Sequence, residues 1–391
     1  MQTVSVAIVG GGLSGLYAAS LLEQQGIHNF VVLEARPALG GRIVSASFGD
    51  IKTVRGNAAW NGTNRFDLGP TWFWPALQPE LGDLIRHLGP KRFAQYETGD
   101  MIVERSRNEP PKRVRGYTMS PESMRLIGGM GAVIDALGST IPSDRIEVQQ
   151  RVTRIRSAEG HVELDAVDSQ DRRTAYRASY ELLAVPPRLA SETIEFVPAL
   201  PDSLSRTWRG TATWMASHAK YVAVYERPFW REQGLSGEGR SAAGPLTEIH
   251  DASMPGGNAA LFGFFGVPAS VRAKVSDEQL RMHCRAQLER MFGESAAHPV
   301  TERLKDWAAD RYTAAAADLR GVTEHGIAPP NSARSGVWRN RLFGIASEWS
   351  PRFGGYVAGA VDAARSGVRA IGASGTSDLA VNAVPIGSAF S

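Results

Sequence analysis

An α/β fold is predicted for this chain of 391 residues by three features near its start. Val4-Ser5-Val6-Ala7-Ile8-Val9 is an apolar, β-branched strand that runs straight into Gly10-Gly11-Gly12-Leu13-Ser14-Gly15. A helical pattern follows through Leu16, Ala19, Leu22 and Glu23, and a second apolar strand, Phe30-Val31-Val32-Leu33, ends at Glu34. Strand, glycine loop, helix, strand and acid, in that order, make a Rossmann-like dinucleotide site. Gly10 allows the tight turn, Gly12 lets the backbone approach a pyrophosphate, and Gly15 lets the helix pack on the strand. The helix N-terminus offers free N–H groups to phosphate, with Leu13 and Ser14 in its first turn. Glu34, nineteen residues past Gly15, is placed to accept from a ribose hydroxyl.

The next residues refine the ligand. Ala35 and Arg36 are followed by Leu39-Gly40-Gly41-Arg42. Adjacent glycines suit a second close backbone approach to phosphate, and Arg42 can fork onto a phosphate with two charge-assisted bonds. With GGGLSGL, LEAR and LGGRI in this order, the chain resembles the flavin-containing amine oxidase superfamily. The resemblance implies FAD rather than NAD. It continues in Asp67-Leu68-Gly69-Pro70-Thr71-Trp72, which in the family passes beside the isoalloxazine, and in Gly128-Gly129-Met130 at a helix start. Val152 is similar in place to the family's valine on the adenine side, and Ala184-Val185-Pro186-Pro187 to the strand end that closes the FAD domain. Glu348, then Gly354-Gly355-Tyr356-Val357 and Gly359-Ala360, is similar to the C-terminal signature at which a helix N-terminus meets the flavin ring. The implied cofactor contacts are thus Gly10, Gly12 to Gly15, Glu34 to Arg36, Gly41, Arg42, Gly69 to Trp72, Val152, Glu348 and Gly355 to Val357.

Composition sets the outer bounds. The length favours two domains, and 43% apolar with 21% charged residues is ordinary for a globular protein. The chain has no run of eighteen apolar residues, so no membrane span is expected. The first strand begins at residue 4, leaving no room for a signal peptide, and a cytoplasmic protein is expected. Cys284 is the single cysteine, which excludes an internal disulfide and a cysteine metal site; no metal is expected. It falls in a helical pattern, Ser276 to Phe292, with Ser276 and Gln279 as a capping box and Leu280, Cys284, Leu288 and Met291 on one face, which reads as a buried thiol. The formal net charge is +3. The basic stretch Arg105 to Arg115 reads as a solvated loop, with recruitment of an anionic partner as the alternative. No nucleic-acid motif is present, and a homodimer is left open.

The flavin-like motifs come in three blocks, so the FAD-binding domain is expected to be discontinuous: 1–74, 125–206 and 310–372. It would contain strands Ile146 to Ile155, Val162 to Ala166 and Glu181 to Val185 and a closing helix Tyr356 to Ile371. A smaller α+β substrate domain is expected from 75–124 and 207–309, with a helix Pro79 to Leu88 ended by Gly89 and strands Ala219 to Tyr225 and Ala260 to Phe265. The short first excursion implies a reduced helical cap. The small, polar tail 373–391 is expected to be poorly ordered.

Two residues stand out for chemistry. Alternation puts Lys220 with Val222 and Val224 on one face of its strand, and Tyr221, Ala223 and Tyr225 on the other. Both faces are apolar, so the lysine is expected to be buried with a lowered pKa, unless it snorkels to water. Lys220 to Trp230 resembles the family's lysine segment, which implies that Lys220 holds a water near flavin N5 and aids reaction with oxygen. The resemblance also implies that Tyr356 is one wall of an aromatic cage for the amine. Where monoamine oxidases carry a flavin-linking cysteine and then a tyrosine, this chain has Ala316 and Ala317, which implies non-covalent FAD and a half-missing cage. Trp72-Phe73-Trp74 suits either a pocket wall or interface packing. Trp72 stands where L-amino acid oxidases hold a carboxylate-binding arginine, which argues for an amine without a carboxylate. Trp349 has no evident role.

The reading is FAD-dependent oxidation of an amine to an imine, then an aldehyde or ketone. Most of that chemistry belongs to the cofactor, and the protein supplies orientation and electrostatics. Which amine it is, and whether oxygen or another acceptor reoxidises the flavin, stay open. The alternatives are a flavin desaturase of an apolar substrate of carotenoid or porphyrinogen type, and a non-catalytic flavoprotein partner.

Overall fold

The opening strand spans Gln2–Val9, and its second half is buried on both faces, from Val6 to Val9. That burial follows from its neighbours. It pairs in parallel with Phe30–Glu34 on one side and Arg173–Leu183 on the other, and parallel strands covered on both faces read as continuous apolar runs. The computed structural model describes residues 1–47, 64–320 and 326–374. Packing divides the chain into two units, formed by the described parts of Met1–Gly41, Leu137–Thr213 and Glu324–Ser391, and of Arg42–Ala136 and Trp214–Thr323.

The first unit holds an eight-stranded sheet in the order Glu195–Val197, Arg151–Ala158, His161–Val167, Arg173–Leu183, Gln2–Val9, Phe30–Glu34, Ile146–Val148, with Leu342–Gly344 also pairing Arg173–Leu183. The helix Leu13–Gln24 packs against the helix Val357–Ser374. The core joins Ala7, Val9, Val31 and Leu33 to Trp208, Trp338 and Trp349. Trp349 thereby acquires a role. Its ring lies where a side chain on Gly344 would sit, and it meets Trp208 edge to face at 5.2 Å.

The second unit is built on a seven-stranded sheet in the order Thr301–Asp306, Ala219–Tyr225, Ala259–Phe265, Leu246–Asp251, Leu235–Ser241, Asp100–Glu104, Lys112–Val114. One face packs on the helix Asp277–Phe292, burying Cys284 among Tyr221, Ala223 and Tyr225. The opposite face carries Val222, Val224, Ala260 and Phe262, packed with Phe66, Leu68, Trp72 and Phe264. The alternation read from the lysine strand is therefore the one observed. The capping box of Ser276 and Gln279 forms, and Gly89 ends the helix Pro79–Leu88 in the left-handed region at φ 88°.

Several expectations need correction. The strand expected over Ile146 to Ile155 is two strands, Ile146–Val148 and Arg151–Ala158, broken by Gln149 at φ 59°. The strand expected from Glu181 begins at Arg173. The basic stretch is not all loop, since Lys112–Val114 forms an exposed edge strand pairing Asp100–Glu104. The closing helix runs on through Ser374, so the proposed tail loses its first residues to it, and its remainder lies outside the described residues. The packing seams also differ from the motif boundaries at 74, 124, 206 and 310: residues 64–74 and 125–136 pack with the second unit. Motifs group residues by the cofactor contact they imply, whereas packing groups them by the chain they touch.

Candidate active site

The residues singled out in the sequence fall into two groups, one in each unit. In the first unit the glycine loop leaves the strand at Gly10, whose φ of 112° is open only to glycine without strain. A side chain on Gly15 would lie 2.0 Å from the Gly10 carbonyl oxygen, so the helix can reach the turn only with glycine there. Gly12 differs. Its φ is −79°, and a methyl group there would meet nothing nearer than 3.8 Å, the carbonyl of Gly40. The packing of the chain does not require glycine at position 12, but a ligand lying against the loop would.

The second glycine pair lies alongside this loop. Gly40 N donates to Gly11 O at 2.9 Å, and Gly41, at φ 59°, would place a side chain 3.3 Å from the Gly12 Cα. The helix Leu13–Gln24 has no side-chain cap and no acid in its first turn, which leaves its N-terminal N–H groups and positive dipole end to an outside anion. Glu34 is 3% exposed and holds the loop. Its Oε2 accepts from Gly11 N and its Oε1 from Arg36 N, each at 2.7 Å. Each oxygen keeps a second lone pair for a ribose hydroxyl. Ala35 and Arg36 are half-buried beside it. These features fit a dinucleotide.

The remaining members of this group are spread along the unit. Val152 is buried in the core. Glu348 is 4% exposed and accepts from Ser347 Oγ at 3.1 Å. Gly355, at φ 81°, donates to Ser347 O, and Val357 opens the last helix. Tyr356 is 41% exposed.

The second unit holds Lys220. The side chain is 2% exposed, its Nζ donating to Gly69 O at 3.1 Å and to Thr71 Oγ1. It also sits 4.0 Å from the ring centre of Phe262, a cation–π distance. Burial draws its pKa down from 10.5 to about 7, with Asp67 opposing and Arg125 reinforcing the fall. The buried reading of the sequence holds, and the snorkelling one does not.

The segment that receives Lys220 is pinned at nearly every residue. Asp67 Oδ1 accepts from Met130 N at 2.8 Å and from Ser45 Oγ, and Leu68 O accepts from Trp307 Nε1 at 3.1 Å. A side chain on Gly69 would strike the Arg42 carbonyl at 2.1 Å. Pro70 and Arg42 are half-buried. Trp72 donates to Gln95 Oε1 at 2.8 Å, and its ring meets His250, Phe262 and Phe264. Phe73 is fully buried, and Trp74 donates to Ser123 Oγ. Sequence reasoning missed Phe262, Phe264 and Arg125. The first two were accessible in principle, since they alternate along a strand that pairs Lys220 with Phe264.

Comparison with known proteins bears on the family and the fold. A family model described as flavin containing amine oxidoreductase matches residues 111–372, more than half of the chain, and an NAD(P)-binding Rossmann-like domain model matches residues 8–88. A putrescine oxidase of Kocuria rosea is 32% identical over 222 residues, covering 52% of this chain and 44% of that protein. The human flavin-containing amine oxidase B is 24% identical over 462 residues, covering 94% of this chain and 85% of that protein. Among solved structures, a putrescine oxidase mutant aligns with a TM-score of 0.74 at 21% identity, covering 96% of this chain and 100% of that one. The cyclohexylamine oxidase of Brevibacterium oxydans aligns with a TM-score of 0.74 at 20% identity, covering 94% and 98%. Among the described residues no helix is long and apolar enough to cross a membrane. The chain belongs to the flavin-containing amine oxidoreductase family, and the flavin-dependent amine oxidoreductase expected from its sequence is the reading these relationships support.

Proposed function

We propose that the protein uses non-covalently bound FAD to oxidise an amine lacking a carboxylate to an imine, which water then converts to an aldehyde or ketone and ammonia or a smaller amine. The observation that carries this reading is Lys220, buried on an apolar face and held by two acceptors of the Asp67 to Trp72 segment. Bound flavin supplies the two-electron acceptor, and the substrate amine must arrive neutral so that its nitrogen lone pair can drive loss of hydride from the adjacent carbon.

The chain's own residues supply binding and proton control. Gly10 to Gly15, Gly41 and the uncapped helix would hold the pyrophosphate, Glu34 a ribose hydroxyl, and Arg42 a phosphate oxygen. An ammonium has three N–H donors; Gly69 O and Thr71 Oγ1 take two from Lys220, and the third is available to a water. A pKa of about 7 lets Lys220 hold or release a proton near neutral pH. The rings of Trp72, Phe262 and Phe264 supply an apolar surface beside it, and Tyr356 offers an aromatic face to an amine. Ala316 and Ala317 provide no thiol for a flavin bond.

Acid precipitation of the purified yellow protein tests the cofactor assignment. The colour should pass into the supernatant with the mass of FAD, and colour retained in the pellet would contradict non-covalent binding. Incubation with an amine panel should yield the matching carbonyl compound.

A further inference from the structure

Two buried charges beside Lys220 have no role in the reading above. Asp67 ends the strand Arg65–Asp67 and is 4% exposed. Its Oδ1 is engaged by Met130 and Ser45, but its Oδ2 is buried without a hydrogen-bond partner among the described residues. Arg125 is 1% exposed; its terminal nitrogens donate to the carbonyls of Asp251, Ala252 and Ser253, while its Nε has no hydrogen-bond partner among the described residues. Among the described residues neither forms a contact ion pair with Lys220, yet each acts on it: Asp67 favours the ammonium and Arg125 opposes it, while burial raises the pKa of Asp67 itself and the charge of Lys220 is the leading influence against that rise. Charges at this depth are poorly screened and act beyond contact range.

The other charged groups around the lysine are already matched. Lys305, opposite Lys220 on the neighbouring strand, donates to Asp310 Oδ2 at 2.7 Å. Asp251 is held by Nε and Nη2 of Arg231, and His250, which packs on Phe262, bonds to Glu248. Among the described residues of this cluster, Asp67 keeps a carboxyl oxygen with no partner. Asp67 also shares one pinned segment with both acceptors of the ammonium, Gly69 and Thr71, so counter-charge and acceptors move together.

We propose that Asp67 is a positioning residue for Lys220, its buried carboxylate keeping the ammonium on Gly69 O and Thr71 Oγ1 against the opposing charge of Arg125. The balance between the two sets the pH at which Lys220 gives up its proton. The inference rests on the proposed role of Lys220 only for its kinetic consequence.

The test is NMR titration of the full-length holoenzyme with isotopically labelled lysines, the Lys220 signal being assigned by its loss in Lys220→Met. Asp67→Asn keeps an oxygen for Met130 N and removes the charge; the Lys220 midpoint should fall by at least one pH unit, and Asp67→Glu should restore most of it. An unchanged midpoint in a folded Asp67→Asn protein overturns the proposal. Should that variant not fold, Arg125→Gln tests the same balance from the other side: its midpoint must rise, and one that stays or falls overturns the proposal. Reoxidation of the reduced flavin by oxygen, followed against pH, separates the two readings. A shifted lysine with an unmoved kinetic profile upholds the Asp67 relationship and removes Lys220 from reoxidation.

Discussion

Lys220 Nζ donates to the carbonyl oxygen of Gly69 at 3.1 Å, across 151 residues of chain. This bond ties an interior strand of one sheet to the Asp67 to Trp72 segment and leaves a cation in an apolar setting. Burying an ammonium without a carboxylate in contact is unfavourable, and burial lowers its pKa to about 7.

Replacing the lysine should therefore affect chemistry more than folding. Lys220→Met fills a similar volume and removes the buried charge, so the variant should fold and retain flavin. If Lys220 acts in proton control, oxygen should reoxidise the reduced variant slower by roughly 100-fold or more. Stopped-flow mixing of reduced enzyme with oxygen measures this, and an unchanged rate would remove Lys220 from that step.

The same residue makes stability depend on pH. Folded Lys220 releases its proton at about 7 and the unfolded lysine at 10.5. Between those values the unfolded chain binds the extra proton, so this residue's contribution to stability rises with pH across that window. Denaturant titrations at a series of pH values should show a slope from about 7 to 10.5 that is weaker in Lys220→Met.

Glu181 carries the opposite sign. It is fully buried in the first unit, neither carboxyl oxygen has a hydrogen-bond partner among the described residues, and burial raises its pKa from 4.5 to about 8. Its contribution is fully present below 4.5 and is lost as pH rises through about 8. Glu181→Gln should be the more stable protein at pH 9, by an amount on the order of a few kcal/mol. Equal pH dependence of the two unfolding curves would count against this.

The glycine loop separates folding from binding. Gly15→Ala places a methyl 2.0 Å from the Gly10 carbonyl and should destabilise the protein itself. Gly12→Ala meets nothing nearer than 3.8 Å. The flavin-free variant should match the flavin-free parent within about 0.5 kcal/mol, while flavin binding weakens. Flavin retention on gel filtration, read beside apoprotein melting, distinguishes the two effects.

What was legible in the sequence was local. The order of strand, loop, helix and acid, the helix Pro79–Leu88, the capped helix Asp277–Phe292 and the faces of Ala219–Tyr225 all follow from short-range periodicity and capping. Strand Leu235–Ser241 was hidden by Gly237 and Gly239, which are there because side chains would strike Trp230 and Met291 at 2.8 Å. Strand Arg173–Leu183 was only half seen, because it alternates through the antiparallel meander and turns continuously buried where it joins the parallel strands. Lys220 could be read as buried, but its partners could not. Thr71, Asp67, Arg125 and Phe262 reach it through long-range pairing that no window of sequence contains.

The most direct test of amine oxidation is an anaerobic titration of the holoenzyme with amines, amino acids and polyamines while the flavin absorbance is followed. A carboxylate-free amine should bleach the band with a stoichiometry of about one, and the corresponding carbonyl compound should appear. Flavin that dithionite reduces but no amine does would contradict amine oxidation.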